Sequence, residues 1–191
     1  LLEDPRFVDA AEQMFGKVLG VGVDADRYVT DSAWHYDAGG WDATGVKFAF
    51  YLQPVRAYSG ALRVIPGAHK REWFDELYHQ EPLGPKWTRQ AASPEDKKLA
   101  MDAIDTIPGY ACESNPGDVV AFDLRMYHSS YGGSRDRHMC SVVYYADPSS
   151  LEELELVRMN ATGLMNPRES DPWNPPSMRK EWLANPQGSP R

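Results

Sequence analysis

The sequence has little cysteine, no long apolar run and no basic, apolar leader. Its two cysteines, Cys112 and Cys140, are too few for a secreted disulfide framework and are interpreted as buried thiols in a reducing compartment. No apolar run approaches the ~18 residues that a membrane span requires, and the first residues lack the basic and apolar regions of a signal peptide. We therefore expect a cytoplasmic protein with no membrane partner.

Basic residues are also scarce relative to acidic ones. The chain has 20 Lys and Arg against 28 Asp and Glu, which gives a formal net charge of −8. This is the wrong sign for a protein that neutralises a phosphate backbone. We expect no nucleic-acid partner, and the sequence carries no signal for an oligomeric state.

Aromatic residues, glycine and proline are abundant. Aromatic residues make up 12% of the 191 residues, and 15 Gly accompany 15 Pro. This mixture is typical of short strands joined by many turns. The apolar share of 42% and the charged share of 25% are ordinary for a globular chain, so we predict one β-rich domain over residues 1–191.

Patterns along the chain place helices around two β blocks. Asp4 and Pro5 predict the start of a short amphipathic helix that ends at Gly16, and Ser93 predicts the cap of another. Period-two alternation predicts five early strands, near residues 18–23, 27–29, 33–37, 46–53 and 61–65, and a second β block from 107 to 145. Residues 149–191 are predicted to form a C-terminal helix followed by an irregular tail.

The first candidate for chemistry is the run Trp34-His35-Tyr36-Asp37. In a strand, His35 and Asp37 point to the same face about 7 Å apart along it, where they could share a metal ion. Such a short motif arises often by chance, and an ion pair is the alternative interpretation.

His128 strengthens this candidate because it ends a second predicted strand and could supply a third ligand from across a barrel. Two histidines and one carboxylate form the facial triad of non-haem Fe(II) oxygenases. The same set also suits catalytic zinc, although the sequence has no His-Glu-x-x-His helix. The residues alone leave both metals open.

Arg137 begins the alternating segment that follows His128. If its guanidinium points into the barrel, it could bind a carboxylate through two hydrogen bonds, as a dicarboxylate co-substrate requires. Arg135 is the rival position and is interpreted as a solvated loop charge. Ser130 could add a hydroxyl to the same carboxylate or could be a turn residue.

Three blocks of sequence carry a resemblance to a known family. They are Trp34-His35-Tyr36-Asp37, then Ser59-Gly60-Ala61-Leu62-Arg63-Val64-Ile65-Pro66-Gly67-Ala68-His69-Lys70, then Asn115-Pro116-Gly117-Asp118 leading to His128, Ser130 and Arg137. In this order they resemble the phytanoyl-CoA dioxygenase family of Fe(II)- and 2-oxoglutarate-dependent oxygenases. The resemblance extends from Asp4 to Pro148, and the middle block is its most specific part.

This resemblance implies a mainly β fold, the double-stranded β-helix or cupin-like jelly-roll, with flanking helices. It implies Fe(II) held by His35, Asp37 and His128, with 2-oxoglutarate as co-substrate and O2 as the oxidant. It also implies that Arg137 and Ser130 bind the distal carboxylate of 2-oxoglutarate.

Three further residues lie near these motifs. Lys47 and Tyr51 alternate on one face of their predicted strand, so they are candidates to line the cofactor site, with packing as the alternative. His69 is not a ligand in the family and is interpreted as a turn residue beside Gly60 and Gly67, which permit tight backbone conformations.

The resemblance further implies hydroxylation of a small-molecule substrate with release of succinate and CO2. In related halogenases an alanine or glycine stands where this chain has Asp37, which leaves a site for chloride. A non-catalytic jelly-roll binding module and a zinc-dependent hydrolase are the alternatives. Trp41, Trp73 and Trp87 lie in segments expected to cover the site.

Two features depart from the family pattern. Many relatives place the arginine eleven residues after the distal histidine, where this chain has Met139. Relatives also carry an additional N-terminal segment that helps to close the barrel, and we expect that segment to be missing here.

Overall fold

Eight strands and four helices form in residues 1–28, 31–38, 42–83, 93–133 and 137–164, which are the residues that the computed structural model describes. The helices are α1 (Pro5–Phe15), α2 (Arg71–His79), α3 (Pro94–Asp102) and α4 (Leu151–Leu164). The strands are β1 (Val18–Tyr28), β2 (Ser32–His35), β3 (Gly45–Tyr51), β4 (Leu62–Val64), β5 (Tyr110–Cys112), β6 (Val120–Asp123), β7 (His128–Ser130) and β8 (Arg137–Ala146).

The strands form two four-stranded antiparallel sheets. We call the sheet with the order β1-β8-β3-β6 the major sheet and the sheet with the order β2-β7-β4-β5 the minor sheet. Consecutive strands mostly alternate between the two sheets, which is the winding of a jelly-roll. The mainly β fold with flanking helices is therefore confirmed.

Helix α1 covers the outer face of the major sheet. The Asp4 carboxylate accepts a hydrogen bond from the Arg6 backbone N–H at 3.1 Å, and Pro5 begins the helix as the sequence predicts. The apolar face of the helix packs on the sheet, where the ring centroids of Phe7 and Phe48 lie 5.3 Å apart. The alternation along β3 therefore turns Lys47 to the opposite, inner face.

Helix α2 covers the outer face of the minor sheet. Its Phe74 packs with Trp34 and Tyr127. These two residues directly precede His35 and His128, which face inward, so their own side chains face outward toward α2. Further along the chain, α3 begins with a capping box between Ser93 and Asp96, as its sequence predicts. These outer layers leave the inner faces of the two sheets for the site.

Several strands differ from their predicted bounds, and the strand predicted to end at His128 instead begins there, as β7. The differences in β1 and β2 matter most for the site. Strand β1 is continuous from Val18 to Tyr28, because the long partner β8 pairs with it along almost its whole length. Strand β2 ends at His35, two residues before the predicted end. The backbone N–H groups of Asp37 and Ala38 instead both donate to the Leu124 carbonyl at 2.9 Å.

The predicted C-terminal helix is present as α4, which follows Ser150. The irregular tail predicted after this helix lies outside the described residues, as do Trp41, Trp87 and Arg135. Among the helices that the structure describes, none is both long and apolar enough to cross a membrane.

Candidate metal centre

A β-bulge in β2 brings the two histidines together. Ser32 pairs with Ser130 and His35 pairs with His128, so three residue steps in β2 oppose two in β7. The extra residue lets both Ser32 and His35 face the inside of the barrel. As a result, the rings of His35 and His128 lie side by side with their centroids 4.2 Å apart.

Asp37 approaches the histidines from a turn and not from the strand. Its Oδ1 lies 3.7 Å from Nε2 of His35, and its Oδ2 lies 3.6 Å from Nε2 of His128. The prediction that His35 and Asp37 share one strand face was wrong in its geometry, because β2 ends at His35. The turn after the strand places the Asp37 carboxylate next to the two imidazoles. One ligand atom from each of the three residues therefore lies within 4.8 Å of the others.

Backbone carbonyls orient both imidazole rings. Nδ1 of His35 donates to the Ala33 carbonyl at 2.8 Å, and Nδ1 of His128 donates to the Met126 carbonyl at 2.9 Å. A carbonyl only accepts, so each Nδ1 carries a hydrogen, and in a neutral imidazole this leaves the lone pair on Nε2, the nitrogen nearer to Asp37. This is the arrangement by which metal-binding histidines are fixed in proteins.

The charges of the centre also suit a metal ion. Burial lowers the pKa of His128 to about 3, so its imidazole is neutral near pH 7. Burial alone would raise the pKa of Asp37, but the positive charge that His128 gains in acid, the Lys47 ammonium and His35 outweigh it and hold that pKa well below its usual range. Neutral imidazoles and an ionised carboxylate are the forms that bind metal ions.

The donor set fits divalent iron. Two imidazole nitrogens and one carboxylate oxygen are the ligands of the facial triad, which leaves neighbouring coordination positions open. Across the part of the chain that the structure describes, this is the one group of three His, Cys, Asp or Glu side chains close enough to hold a metal ion.

Lys47 contacts the carboxylate of this centre directly. Its Nζ donates to Oδ2 of Asp37 at 3.0 Å, and both side chains are mostly buried. The sequence placed Lys47 only among residues that line the site. The structure shows that the ammonium group holds one of the candidate metal ligands.

Asp24 is an acidic side chain near the centre that the sequence reasoning missed. It lies on β1 opposite Ser141 of β8, whose Oγ donates to Oδ2 of Asp24 at 3.5 Å. Burial raises the pKa of this carboxyl, while the charge of Lys47 opposes the shift. The register shift between Gly20 and Gly22 turns Asp24 to the inner face, which simple alternation along β1 would not have predicted.

Arg137 and Ser130 both lie on the inner side of the barrel. Arg137 is 3% exposed, and its Nη1 donates to the Gly60 carbonyl at 2.7 Å. Gly60 has a φ of +88°, and a Cβ there would lie 2.8 Å from the same Nη1, so the glycine makes room for the guanidinium. The Ser130 Oγ accepts a hydrogen bond from the Ser32 backbone N–H at 3.2 Å.

Two neighbours of Arg137 complete this region. Tyr51 is buried four residues after Lys47 on β3 and packs with Val55 and Ala61. Met139, which stands where many relatives have the arginine, packs against the same apolar group. Both side chains therefore contribute apolar packing at the end of the barrel that holds Arg137.

The fold is similar to that of several solved structures. EvdMO1 has a TM-score of 0.52 at 21% identity, with 78% of this chain and 32% of that chain covered. AviO1 from Streptomyces viridochromogenes Tue57 has a TM-score of 0.54 at 19% identity, with 78% and 60% covered. The non-heme monooxygenase ThoJ in its apo form has a TM-score of 0.50 at 17% identity, with 76% and 55% covered. This chain thus spans between about a third and three fifths of those chains.

Comparison with curated proteins gives no significant match. The sequence model of one family, described as phytanoyl-CoA dioxygenase (PhyH), matches residues 4–139. That range includes the bulged strand β2, the turn with Asp37, the strand with His128 and the start of β8. The chain therefore belongs to the phytanoyl-CoA dioxygenase family.

Proposed function

We propose that this protein is an Fe(II)- and 2-oxoglutarate-dependent dioxygenase that hydroxylates a C–H bond of a small molecule and releases succinate and CO2. Membership of the family implies Fe(II), 2-oxoglutarate and O2 as its cofactors. The observation that carries the proposal is the convergence of one ligand atom each from His35, Asp37 and His128 within 4.8 Å. When bound, iron supplies the activation of O2, coupled to decarboxylation of 2-oxoglutarate.

His35, Asp37 and His128 are assigned to hold the iron. The support is that one ligand atom of each residue lies within 4.8 Å of the others, and that a backbone carbonyl accepts a hydrogen bond from Nδ1 of each imidazole. Three protein ligands on one side leave room for 2-oxoglutarate and O2 on the other. If Asp37 holds the metal, its carboxylate would take the place that chloride has in related halogenases, and this supports hydroxylation as the outcome.

Arg137 and Ser130 are assigned to hold the distal carboxylate of 2-oxoglutarate. The guanidinium is buried and anchored through one nitrogen on the Gly60 carbonyl. A buried guanidinium binds a carboxylate through charge-assisted hydrogen bonds that are stronger than neutral ones. The Ser130 Oγ accepts from the Ser32 backbone N–H and lies 3.0 Å from the Ser32 Oγ. When the Ser32 hydroxyl donates in that second contact, the Ser130 hydrogen can turn to the co-substrate.

Lys47 and Tyr51 complete the assigned cofactor site on β3. Lys47 acts through its hydrogen bond to Asp37 and keeps the carboxylate ionised and in place. Tyr51 packs with Val55, Ala61 and Met139, and this apolar group is assigned to exclude water from the end of the barrel that holds Arg137.

The direct test is an anaerobic titration of metal-free protein with Fe(II) and 2-oxoglutarate, followed through the visible charge-transfer band of the chelate. We expect a band that needs both ligands and is lost in His35→Ala and Asp37→Ala. His138→Ala is the matched control, because His138 is exposed on β8. The band of this variant should equal that of the wild type.

The same protein is then exposed to O2 and assayed for succinate. A folded wild type without the band would contradict the proposal. Hydrolytic activity with zinc that needs neither O2 nor 2-oxoglutarate would favour the zinc hydrolase. Absence of any metal binding would favour the non-catalytic binding module.

A further inference from the structure

A pocket of about 320 Å³ lies along β6, partly between the two sheets near the metal centre and partly beside the end of α1. This volume is at the lower end of the range for small-molecule sites. Its inner wall comes from both sheets and the turns next to them, and consists of Val64, His69, Cys112, Val120, Phe122 and Met126.

The pocket ends one side chain away from the candidate metal ligands. The ring of Phe122 lies 4.8 Å from the ring of His128, centroid to centroid. Val64 is the cross-strand partner of His128, and the Met126 carbonyl is the acceptor that orients the same imidazole. A molecule in the pocket would therefore lie against the residues that surround His128.

The pocket opens along the edge of the major sheet. Within the described residues β6 pairs only with β3, so its other edge borders the pocket. Met14 and Phe15 at the end of α1, together with Ala121 and Asp123 of β6, form the outer rim. A small molecule can reach the inner wall from this side without passing through either sheet.

His69 supplies the polar group of the inner wall. Its Nδ1 is buried and has no hydrogen-bond partner among the residues that the structure describes. The predicted turn is present, since the Lys70 backbone N–H donates to the Gly67 carbonyl at 2.9 Å, and the His69 side chain lines the pocket. A buried nitrogen that lacks a partner costs free energy, and a ligand with one matching polar group would remove that cost.

We propose that this pocket binds the apolar part of the substrate, with His69 as the hydrogen-bond partner of a single polar group. The substrate class is a neutral, mostly apolar molecule or moiety that carries one hydroxyl or carbonyl close to the apolar part. The identification of the occupant as substrate rests on the proposed oxygenase function, whereas the pocket itself does not.

The test uses 2-naphthol, an apolar molecule with one hydroxyl, and follows its fluorescence during titration of the metal-free full chain. Val120→Phe fills the pocket and should weaken binding at least about tenfold, since the ring takes the ligand's place. Val119→Phe is the matched control, because Val119 is exposed next to it, and it should leave binding within about twofold.

A second pair of variants tests the polar contact. His69→Leu should weaken 2-naphthol binding about fivefold, the usual effect of one neutral hydrogen bond. His79→Leu on the exposed side of α2 should change nothing. Equal binding by these two variants would overturn the role of His69.

The two cysteines give an internal control that needs no variant. Cys112 lines the pocket, whereas Cys140 lies on the outer face of β8 opposite Phe50. Burial raises the pKa of the Cys112 thiol, so alkylation with iodoacetamide is followed by mass spectrometry at mildly alkaline pH. Saturating 2-naphthol should slow alkylation of Cys112 several-fold and leave that of Cys140 unchanged.

The outcomes separate this inference from the proposed function. No binding by the wild type, or equal binding by Val119→Phe and Val120→Phe, overturns the pocket whether or not the Fe(II) and 2-oxoglutarate band forms. Pocket-dependent binding without the band contradicts the oxygenase and with it the identification of the occupant as substrate. If Val120→Phe does not fold, Cys112→Phe repeats the same test from β5.

Discussion

At the residue scale, each candidate ligand is held by a group that does not itself bind metal. Backbone carbonyls of Ala33 and Met126 fix the two imidazoles, and the ammonium of Lys47 fixes the carboxylate of Asp37. Such outer partners set the orientation and protonation of metal ligands. A substitution of Lys47 is therefore the most informative variant, because it removes one such partner and leaves all three candidate ligands in place.

Lys47→Met should lower 2-oxoglutarate-dependent succinate formation about 10- to 100-fold, the usual cost of losing an outer partner of a metal ligand. Methionine keeps the length of the side chain but cannot donate to Asp37, so the carboxylate is free to turn. Steady-state succinate release measures the effect. Lys98→Met is the matched control, because Lys98 pairs with Asp102 on the exposed side of α3. Activity of Lys47→Met within twofold of the wild type would contradict a positioning role.

Asp24→Asn should stabilise the metal-free protein more at pH 7 than at pH 4. Burial raises the pKa of Asp24 above its unfolded value, so the wild type loses stability as the pH rises through the folded-state pKa. Asparagine has no charge to bury and still accepts from Ser141. Thermal unfolding in chelator at the two pH values measures the difference. The same change in midpoint at pH 7 and pH 4 would show that burial of the charge has no such cost.

At the scale of elements, the shape of β2 decides the centre. Its bulge turns His35 toward His128, and its early end sends Asp37 into a turn that is held by the Leu124 carbonyl. Trp34 anchors the strand from the outer side, where it is almost fully buried with Phe74. A substitution that displaces the Trp34 side chain should therefore lower both the stability of the fold and the affinity for the metal ion.

Gly109→Ala should lower the free energy of unfolding by about 1–3 kcal/mol, as overpacking of a filled core does. A Cβ at Gly109 would collide with the Trp34 ring and lie 3.3 Å from the Val64 carbonyl, and the enclosed ring has no room to move. Urea unfolding gives the free energy, and Fe(II) titration should show weaker binding. Gly22→Ala is the control, because a Cβ there meets nothing within 4 Å. Equal stability of the two variants would contradict this account.

At the scale of the whole molecule, the two sheets divide the site between them. The minor sheet and the turn after β2 supply His35, Asp37 and His128, whereas the major sheet supplies Lys47 and Arg137. Ligands that contact both sheets should therefore stabilise the fold as a unit.

Mn(II) together with 2-oxoglutarate should raise the thermal unfolding midpoint of the metal-free protein. Binding to the folded state alone stabilises it by about 2.7 kcal/mol when the free ligand is at 100 times its Kd. Differential scanning fluorimetry with each ligand alone and with both measures the shift. His128→Ala should show none of it, whereas His138→Ala should behave as the wild type. A shift that persists in His128→Ala would place the metal elsewhere.

The sequence by itself determined much of this protein. Local signals identified α1 through Asp4 and Pro5, α3 through Ser93, and the candidate ligands His35, Asp37 and His128 through motifs in a fixed order. Caps and period-two alternation act between residues close in the chain, so they can be read from the sequence directly. The family and the jelly-roll followed from the same motifs.

Only the tertiary structure decided how these residues meet. The contact of Lys47 with Asp37, the inward position of Asp24 and the pocket lined by His69 depend on a bulge in β2, on the pairing of β1 with β8 and on the packing of one sheet over the other. Each of these joins residues far apart in the chain, and a shift of one residue in register turns every side chain of a strand to the other face. No local pattern fixes that register, because it is set by the packing of the whole barrel.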